Sequence, residues 1–99
     1  MIFEIAQILV QPGKEQQFEA GVKEAIPLFQ RARGCKSMQL QRSIEEPASY
    51  TLVVGWDSID DHMTGFRNSE EFQEWRRLVG PYFVQAPNVH HVDMVLQGF

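Results

Sequence analysis

The chain has 99 residues, of which 43% are hydrophobic, 22% are charged and 11% are aromatic. This balance is typical of an ordered globular protein, and the length predicts one domain over residues 1–99. The net charge of −4 and the absence of any Lys/Arg run longer than Arg76-Arg77 disfavour nucleic acid and anionic membrane surfaces as partners.

No stretch approaches the roughly 20 apolar residues that a membrane span needs, and the N-terminus carries no basic leader before an apolar run. These features predict a cytoplasmic protein that does not contact a membrane. Cys35 is the only cysteine, so the chain can form neither an intrachain disulfide nor a Cys-rich metal site.

The first half of the chain predicts a strand, a helix and a hairpin. A strand over Ile2–Val10 is apolar on most of both faces, and Glu4 and Gln7 interrupt it. After Pro12-Gly13 the period changes, which predicts a helix over Lys14–Arg33. Two strands, Lys36–Ile44 and Tyr50–Trp56, then form a hairpin around the turn at residues 45–48.

The second half predicts a helical region in two pieces and a last strand. Ser58 and Asp61 have the spacing of a capping box, a break follows at Gly65, and Asn68 or Ser69 caps the second piece. Its apolar stripe, which ends before Gly80-Pro81, contains Phe72, Trp75, Leu78 and Val79. The last strand is predicted over Val89–Leu96.

The order β, α, β, β, α, β predicts an α+β, ferredoxin-like domain with a four-stranded antiparallel sheet and both helices on one face. The first and third strands are apolar on both sides, so one layer of helices cannot cover the whole sheet. A second copy packing sheet to sheet would cover the rest, which predicts a homodimer. A monomer with a half-exposed sheet is the alternative.

His62 is the first candidate functional residue. Phe66 lies four positions later on the same helical face and Arg67 is adjacent, so the three could hold a polarisable planar molecule. The alternative is a structural histidine that is hydrogen-bonded or faces solvent.

His90 and His91 are consecutive on a predicted strand and therefore point to opposite faces, so they cannot chelate one ion and at most one can face a given pocket. No His-x-x-x-His or Cys-x-x-Cys spacing occurs, and no zinc or iron site is predicted. Aromatic residues are concentrated in the second half and fit either a core or a cleft for an aromatic ligand: Trp56, Phe72, Trp75, Tyr82 and Phe83.

Several motifs together resemble the antibiotic biosynthesis monooxygenase domain family, nearly from end to end. They include Trp56-Asp-Ser-Ile-Asp-Asp-His62, Phe66-Arg67-Asn-Ser69, Trp75-Arg76 and Pro87-Asn-Val89-His-His91. The resemblance implies a ferredoxin-like domain that pairs into a dimeric α+β barrel. It also implies oxygenation of an anthrone-like, phenolic or quinol substrate without a metal or an organic cofactor.

One branch of that family degrades haem and uses an Asn on the first strand with a Trp and a His on later helices. In this chain the position that corresponds to the Asn is Ala6, flanked by Gln7. The positions that correspond to the helical Trp and His hold Phe66 and Trp75 or Arg76. The haem-degrading residues are therefore absent.

A cofactor-free oxygenase needs a base for the substrate proton and donors for the resulting oxyanion. We expect His62 to be the base and Arg67 or His91 the oxyanion partner. Phe66, Trp75 and Tyr82 are the predicted aromatic walls, with Phe83 and Trp56 nearby. The alternatives are a domain that binds a small molecule or only assembles, and an isomerase or decarboxylase that needs no oxygen.

Overall fold

The computed structural model describes residues 1–99 and has the predicted order of elements. The strands are β1 (Ile2–Leu9), β2 (Cys35–Arg42), β3 (Ser49–Trp56) and β4 (Asn88–Asp93), and the helices are α1 (Glu15–Gln30) and α2 (Glu70–Val79). A π-helical segment (Asp61–Phe66) precedes α2, and a 3-10 turn (Gly80–Tyr82) follows it.

The sheet has the order β2-β3-β1-β4 with all neighbours antiparallel, and both helices pack on one face. This confirms the ferredoxin-like α+β prediction. Alternate residues of β1 and β3 are buried beneath the helices: Glu4, Ala6, Ile8, Tyr50, Leu52, Val54 and Trp56. The core therefore lies between the central strand pair and the helical layer.

The helices approach each other closely at Gly21 of α1. A Cβ atom at this position would lie 2.7 Å from the carbonyl oxygen of Leu78 and 3.3 Å from Cγ1 of Val79. The missing side chain thus allows α2 to pack directly on the α1 backbone. The packing also brings Phe29 and Trp75 into an edge-to-face contact, with ring centroids 5.1 Å apart.

The ends of several elements differ from the predictions. α1 is shorter than Lys14–Arg33, and β2 ends at Arg42, one pair before the turn that is closed by a hydrogen bond from the Ser49 N–H to the Glu46 carbonyl. β4 ends at Asp93, whose partner Ile2 is the first residue of β1. Residues 94–96 were predicted to continue the strand, but they have no neighbouring strand left to pair with.

The predicted break at Gly65 is also displaced. The helical region begins after Ser58, whose Oγ accepts from the Asp61 N–H at 3.1 Å, and it runs through Gly65. The π-helical segment closes where the Arg67 N–H donates to the His62 carbonyl, five residues back, at 2.9 Å. The break follows it, and Ser69 caps α2 by accepting from the Phe72 N–H at 3.2 Å, as predicted.

The opposite face of the sheet carries no helix. Phe3, Ile5 and Val53 are half-buried on it, and Val92 is exposed. The segment after β4 is also exposed, including Val95 and Leu96. Neither helix is both long enough and apolar enough to cross a membrane.

Candidate functional site

A buried carboxyl group lies at the centre of the candidate site. Glu4 is on the helix-facing side of β1 and is only 6% exposed. Its Oε1 accepts a hydrogen bond from Nε1 of Trp56 at 3.1 Å and lies 3.2 Å from Nε2 of His62. One oxygen of the carboxyl group thus has two partners, one from β3 and one from the π-helical segment.

His62 connects Glu4 to the last strand. Its ring stacks on Trp56 with centroids 5.2 Å apart and an interplanar angle of 19°. Its second nitrogen, Nδ1, lies 2.8 Å from Nε2 of His91. His62 is 2% exposed and both of its ring nitrogens have polar neighbours, so it does not face solvent, and the hydrogen-bonded histidine considered from the sequence agrees with the structure.

His91 is the outer member of this group. It lies directly opposite Glu4 in the register of β4 on β1, and its side chain is half-buried on the helix-facing side. His90 lies opposite Ile5 and is exposed on the other face. The structure therefore identifies His91 as the member of the pair that belongs to the site.

Burial shifts the ionisation of all three groups. It raises the pKa of Glu4 to about 7, although the Trp56 hydrogen bond and the charge of Arg67 act in the opposite direction. Burial, together with the charges of His91 and Arg67, lowers the pKa of His62 to about 4. The pKa of His91 is lowered by burial and by His90. At neutral pH His62 is therefore uncharged, and its 3.2 Å contact with Glu4 is not an ion pair.

A cleft of about 980 Å³ opens beside Glu4 and His62. Its volume is at the upper end of the roughly 300–1,000 Å³ typical of small-molecule sites. The sheet contributes Ala6, Ile8, Leu52 and Val89, and the helical side contributes Phe72, Gln73, Trp75 and three arginines, Arg67, Arg76 and Arg77. Gly80, Pro81, Phe83, Ala86 and Pro87 complete the lining. The cleft is thus apolar along the sheet and cationic along one wall.

The cationic wall contains two arginines without a carboxylate partner. The guanidinium carbons of Arg67 and Arg76 lie 5.2 Å and 6.0 Å from the centroid of the Phe72 ring. Neither forms an ion pair, whereas Arg77 is paired with Glu74. Arg67 and Arg76 are therefore available to an anionic group in the cleft.

Some of the predicted site residues line the cleft and others do not. His62, Arg67, Trp75 and Phe83 line the cleft, and His91 lies behind His62. The other three predicted aromatic residues, Trp56, Phe66 and Tyr82, are not on its surface.

The core explains this difference, because Trp56 is fully buried against His62 and Phe66 packs on Phe29 with centroids 4.8 Å apart. Tyr82 is partly buried in the 3-10 turn and packs against the core. Phe72 forms the additional aromatic wall.

Glu4 is the member of the candidate site that the sequence did not single out. Its signal was present, since Glu4 shares the two-residue period of Ala6, Ile8 and Val10, which places a carboxylate on the buried face of a strand. The sequence placed it as an interruption of the apolar pattern and within the opening Glu4-Ile5-Ala6 motif of the family, but not as a site residue. No group of three or more His, Cys, Asp or Glu side chains is arranged to hold a metal ion.

Comparison with known proteins gives the class of protein. The family model of antibiotic biosynthesis monooxygenases matches residues 1–78. The chain belongs to this family, as the motifs of the sequence indicated.

Individual relatives agree with this assignment. A protein of Bordetella bronchiseptica, named for the same family, has a crystal structure with 61% sequence identity and a TM-score of 0.95, covering 96% of this chain and 97% of that one. A second family structure, from Caulobacter crescentus CB15, has 26% identity and a TM-score of 0.82, covering 96% and 90%. The uncharacterized protein YczJ of Bacillus subtilis (strain 168) is 35% identical over 95 residues, which is 96% of this chain and all of YczJ.

Proposed function

We propose that the protein is a monooxygenase that oxidises a small phenol, quinol or anthrone-like substrate with molecular oxygen and uses neither a metal nor an organic cofactor. The observation that supports this most directly is the cleft, in which apolar walls meet the buried acid–base group of Glu4 and His62. Membership of the monooxygenase family supports the same reaction class.

The reaction needs no external reductant. Removal of a proton converts the ring system to an electron-rich anion, which forms a carbon–oxygen bond with molecular oxygen. Uptake of a proton gives a hydroperoxide, and loss of water leaves a carbonyl group. A methylene group and one oxygen molecule thus become a carbonyl and one water, with all electrons supplied by the substrate.

The cleft contains groups suited to each part of this sequence. Proton removal is assigned to the buried group around His62. Arg67 would stabilise the oxyanion, since it lines the cleft without an anionic partner and its charge reaches Glu4 and His62. Phe72, Trp75 and Phe83 would contact the faces and edges of the aromatic rings.

Oxygen consumption with a panel of anthrones, naphthoquinols and phenols tests the proposal. We expect uptake that persists with a chelator and exceeds the rate without protein. Arg67→Gln should lower the rate by about 100-fold if the guanidinium stabilises the oxyanion. Arg31→Gln is the matched control, because Arg31 is an exposed arginine paired with Glu71 outside the cleft. No uptake above background with any compound, or equal rates for the two variants, would contradict the proposal.

A non-catalytic domain that binds an aromatic molecule is the second candidate. It is favoured by the engagement of both His62 nitrogens, which leaves that histidine no free atom for a substrate. Binding of the panel compounds, detected by quenching of Trp75 fluorescence and without oxygen uptake, would identify this function.

We also propose that two copies pair through the bare face of the sheet. Ile5 and Val53 are partners in the β1–β3 register at the middle of that face, and Phe3 and Val92 are partners beside them. A second copy would bury this apolar patch, which no helix of the same chain covers.

A further inference from the structure

His62, as it lies in the site, has no atom with which to accept a proton from a substrate. Nε2 is 3.2 Å from Glu4 Oε1, and Nδ1 is 2.8 Å from His91 Nε2. Either nitrogen would have to give up its partner first. The proton acceptor of the cleft must therefore be sought among the neighbours of His62.

Glu4 has a free oxygen on the cleft. Its two polar contacts, to Trp56 and His62, both involve Oε1. Oε2 has no hydrogen-bond partner. Every fully buried side-chain nitrogen or oxygen of the structure has such a partner, so Oε2 is not fully buried. Glu4 lines the cleft and its Oε1 is engaged, so Oε2 is the carboxyl oxygen available to a group bound there.

The hydrogen bonds define where the protons of this group lie. Trp56 Nε1 can only donate, so Oε1 is an acceptor. An ionised Glu4 favours the tautomer in which His62 carries its proton on Nε2, 3.2 Å from Oε1, and Nδ1 of His62 then accepts from Nε2 of His91. The contacts of Trp56 with Glu4, of Glu4 with His62 and of His62 with His91 are all retained when a proton is added to Glu4 Oε2 or to His91 Nδ1. A proton added to His62 would instead face the Nε2–H of His91.

We propose that Glu4 is the general base of the site, that it accepts the substrate's proton at Oε2, and that His62 and His91 are positioning residues that hold Oε1 and set its proton affinity. This inference rests on the proposed function. In the step, an O–H or acidic C–H bond of the substrate breaks and an O–H bond forms at Oε2. The negative charge moves from Glu4 to the substrate beside Arg67, and the same proton later protonates the peroxide.

The charges around Glu4 come from several elements. Trp56 of β3 donates a hydrogen bond to it, and the charge of Arg67, which follows the π-helical segment, acts on it through space. His62 and His91 complete its surroundings, and His90 acts on His91 from the same strand. Burial outweighs the stabilising contacts and brings the pKa of Glu4 to about 7, so the group can both accept and return a proton near neutral pH.

Hydrogen–deuterium exchange of anthrone without oxygen isolates this step. The methylene protons of anthrone exchange with deuterium oxide only through deprotonation, so proton NMR can follow the base without the oxygenation. We expect the wild-type protein to accelerate the exchange and Glu4→Gln to lose about 100-fold or more of that acceleration. Glu24→Gln, which alters an exposed glutamate of α1, is the control and should retain it.

The positioning residues are tested by the pH profile of exchange. His91→Gln keeps an N–H donor for His62 Nδ1 and should retain the wild-type profile, whereas His91→Ala should shift its apparent pKa. A residue needed only for folding would lower the amount of folded protein without moving that pKa. Circular dichroism of each variant confirms that it is folded.

The outcomes separate this inference from the proposed function. Exchange that depends on Glu4 in a protein that consumes no oxygen would support the base and overturn the oxygenase. Oxygen uptake that survives Glu4→Gln would overturn the base and leave the oxygenase standing. An absence of any exchange by the wild-type protein would also overturn the base.

Discussion

Glu4 and His91 face each other across β1 and β4, yet the short polar contacts that connect them pass through His62, which enters from the helical layer. Three elements distant in sequence thus meet in one group of ionisable side chains. Because the group is buried, its protonation is tied to folding as well as to chemistry.

Glu4 and His62 should affect stability with opposite pH dependence. The pKa of Glu4 is raised from 4.5 to about 7, so its contribution is present below pH 4.5 and is lost as the pH rises towards 7. The pKa of His62 is lowered from 6.5 to about 4, so its contribution is present above pH 6.5 and is lost as the pH falls towards 4. Each slope is at most about 1.4 kcal/mol per pH unit, and the two nearly cancel in the wild-type protein.

Single variants should reveal the two slopes. Relative to the wild type, the free energy of unfolding of Glu4→Gln should rise with pH between about 4.5 and 6.5, and that of His62→Gln should fall. Urea unfolding at several pH values measures both. Curves that stay parallel to that of the wild type would show that neither group has a shifted pKa.

Trp56→Phe should raise the pKa of Glu4 further, by about one unit, because the hydrogen bond from the indole to the carboxylate is lost. Carbon-13 NMR of the Glu4 carboxyl group gives this pKa directly. Trp75→Phe is the control, since it changes a tryptophan of the cleft that makes no hydrogen bond to Glu4. A larger shift in the control than in Trp56→Phe would rule out the indole as the stabilising partner.

Gly21→Ala should destabilise the fold by about 1–3 kcal/mol, because the new methyl group would meet the Leu78 carbonyl between the packed helices. Gly65→Ala is the matched helical control. Its Cβ would have only the Asp60 carbonyl nearby, at 3.8 Å, so it should be neutral or stabilising by up to about 1 kcal/mol. Thermal unfolding of both variants decides the point, and equal melting temperatures would contradict the close helix packing.

Ile5→Glu should dissociate the proposed dimer, because it places a charge at the centre of the sheet face. An uncompensated buried charge costs about 3–5 kcal/mol, which raises Kd by at least about 100-fold. Gln17→Glu adds the same charge on the exposed side of α1 and should leave the mass unchanged. Sedimentation velocity gives the mass of each. A wild-type monomer, or a dimer unaffected by Ile5→Glu, would reject pairing through this face.

The fold could be predicted from the sequence because hydrophobic periodicity and turn residues are local signals. The alternation of Tyr50, Leu52, Val54 and Trp56 predicted β3 to within one residue, and Ser69 marked the start of α2. The end of β4 could not be predicted from the sequence, since it is set by the position at which β1 has no further residues to pair with it. The π-helical segment was also missed, because a five-residue hydrogen bond leaves no periodic trace over so short a stretch.

The site was predictable only in part, for a related reason. His62, Arg67, Trp75 and Phe83 stand out by residue type and do reach the cleft. Glu4 stands out only once its face of β1 is known to be covered, and its partners lie more than 50 residues away in sequence. For Trp56 the sequence allowed either a core or a cleft position, and the structure places it in the core.

The π-helical segment Asp61–Phe66 contains His62 near its start. Hydrogen bonds join residues four apart in an α-helix and five apart in a π-helix. A π-turn is therefore equivalent to an α-helical turn with one inserted residue. Deleting a single residue between His62 and Phe66 should therefore convert the segment to an α-helical turn and rotate His62 relative to α2, away from Glu4. The number of residues in this segment, and not only its side chains, therefore sets the position of His62 relative to Glu4.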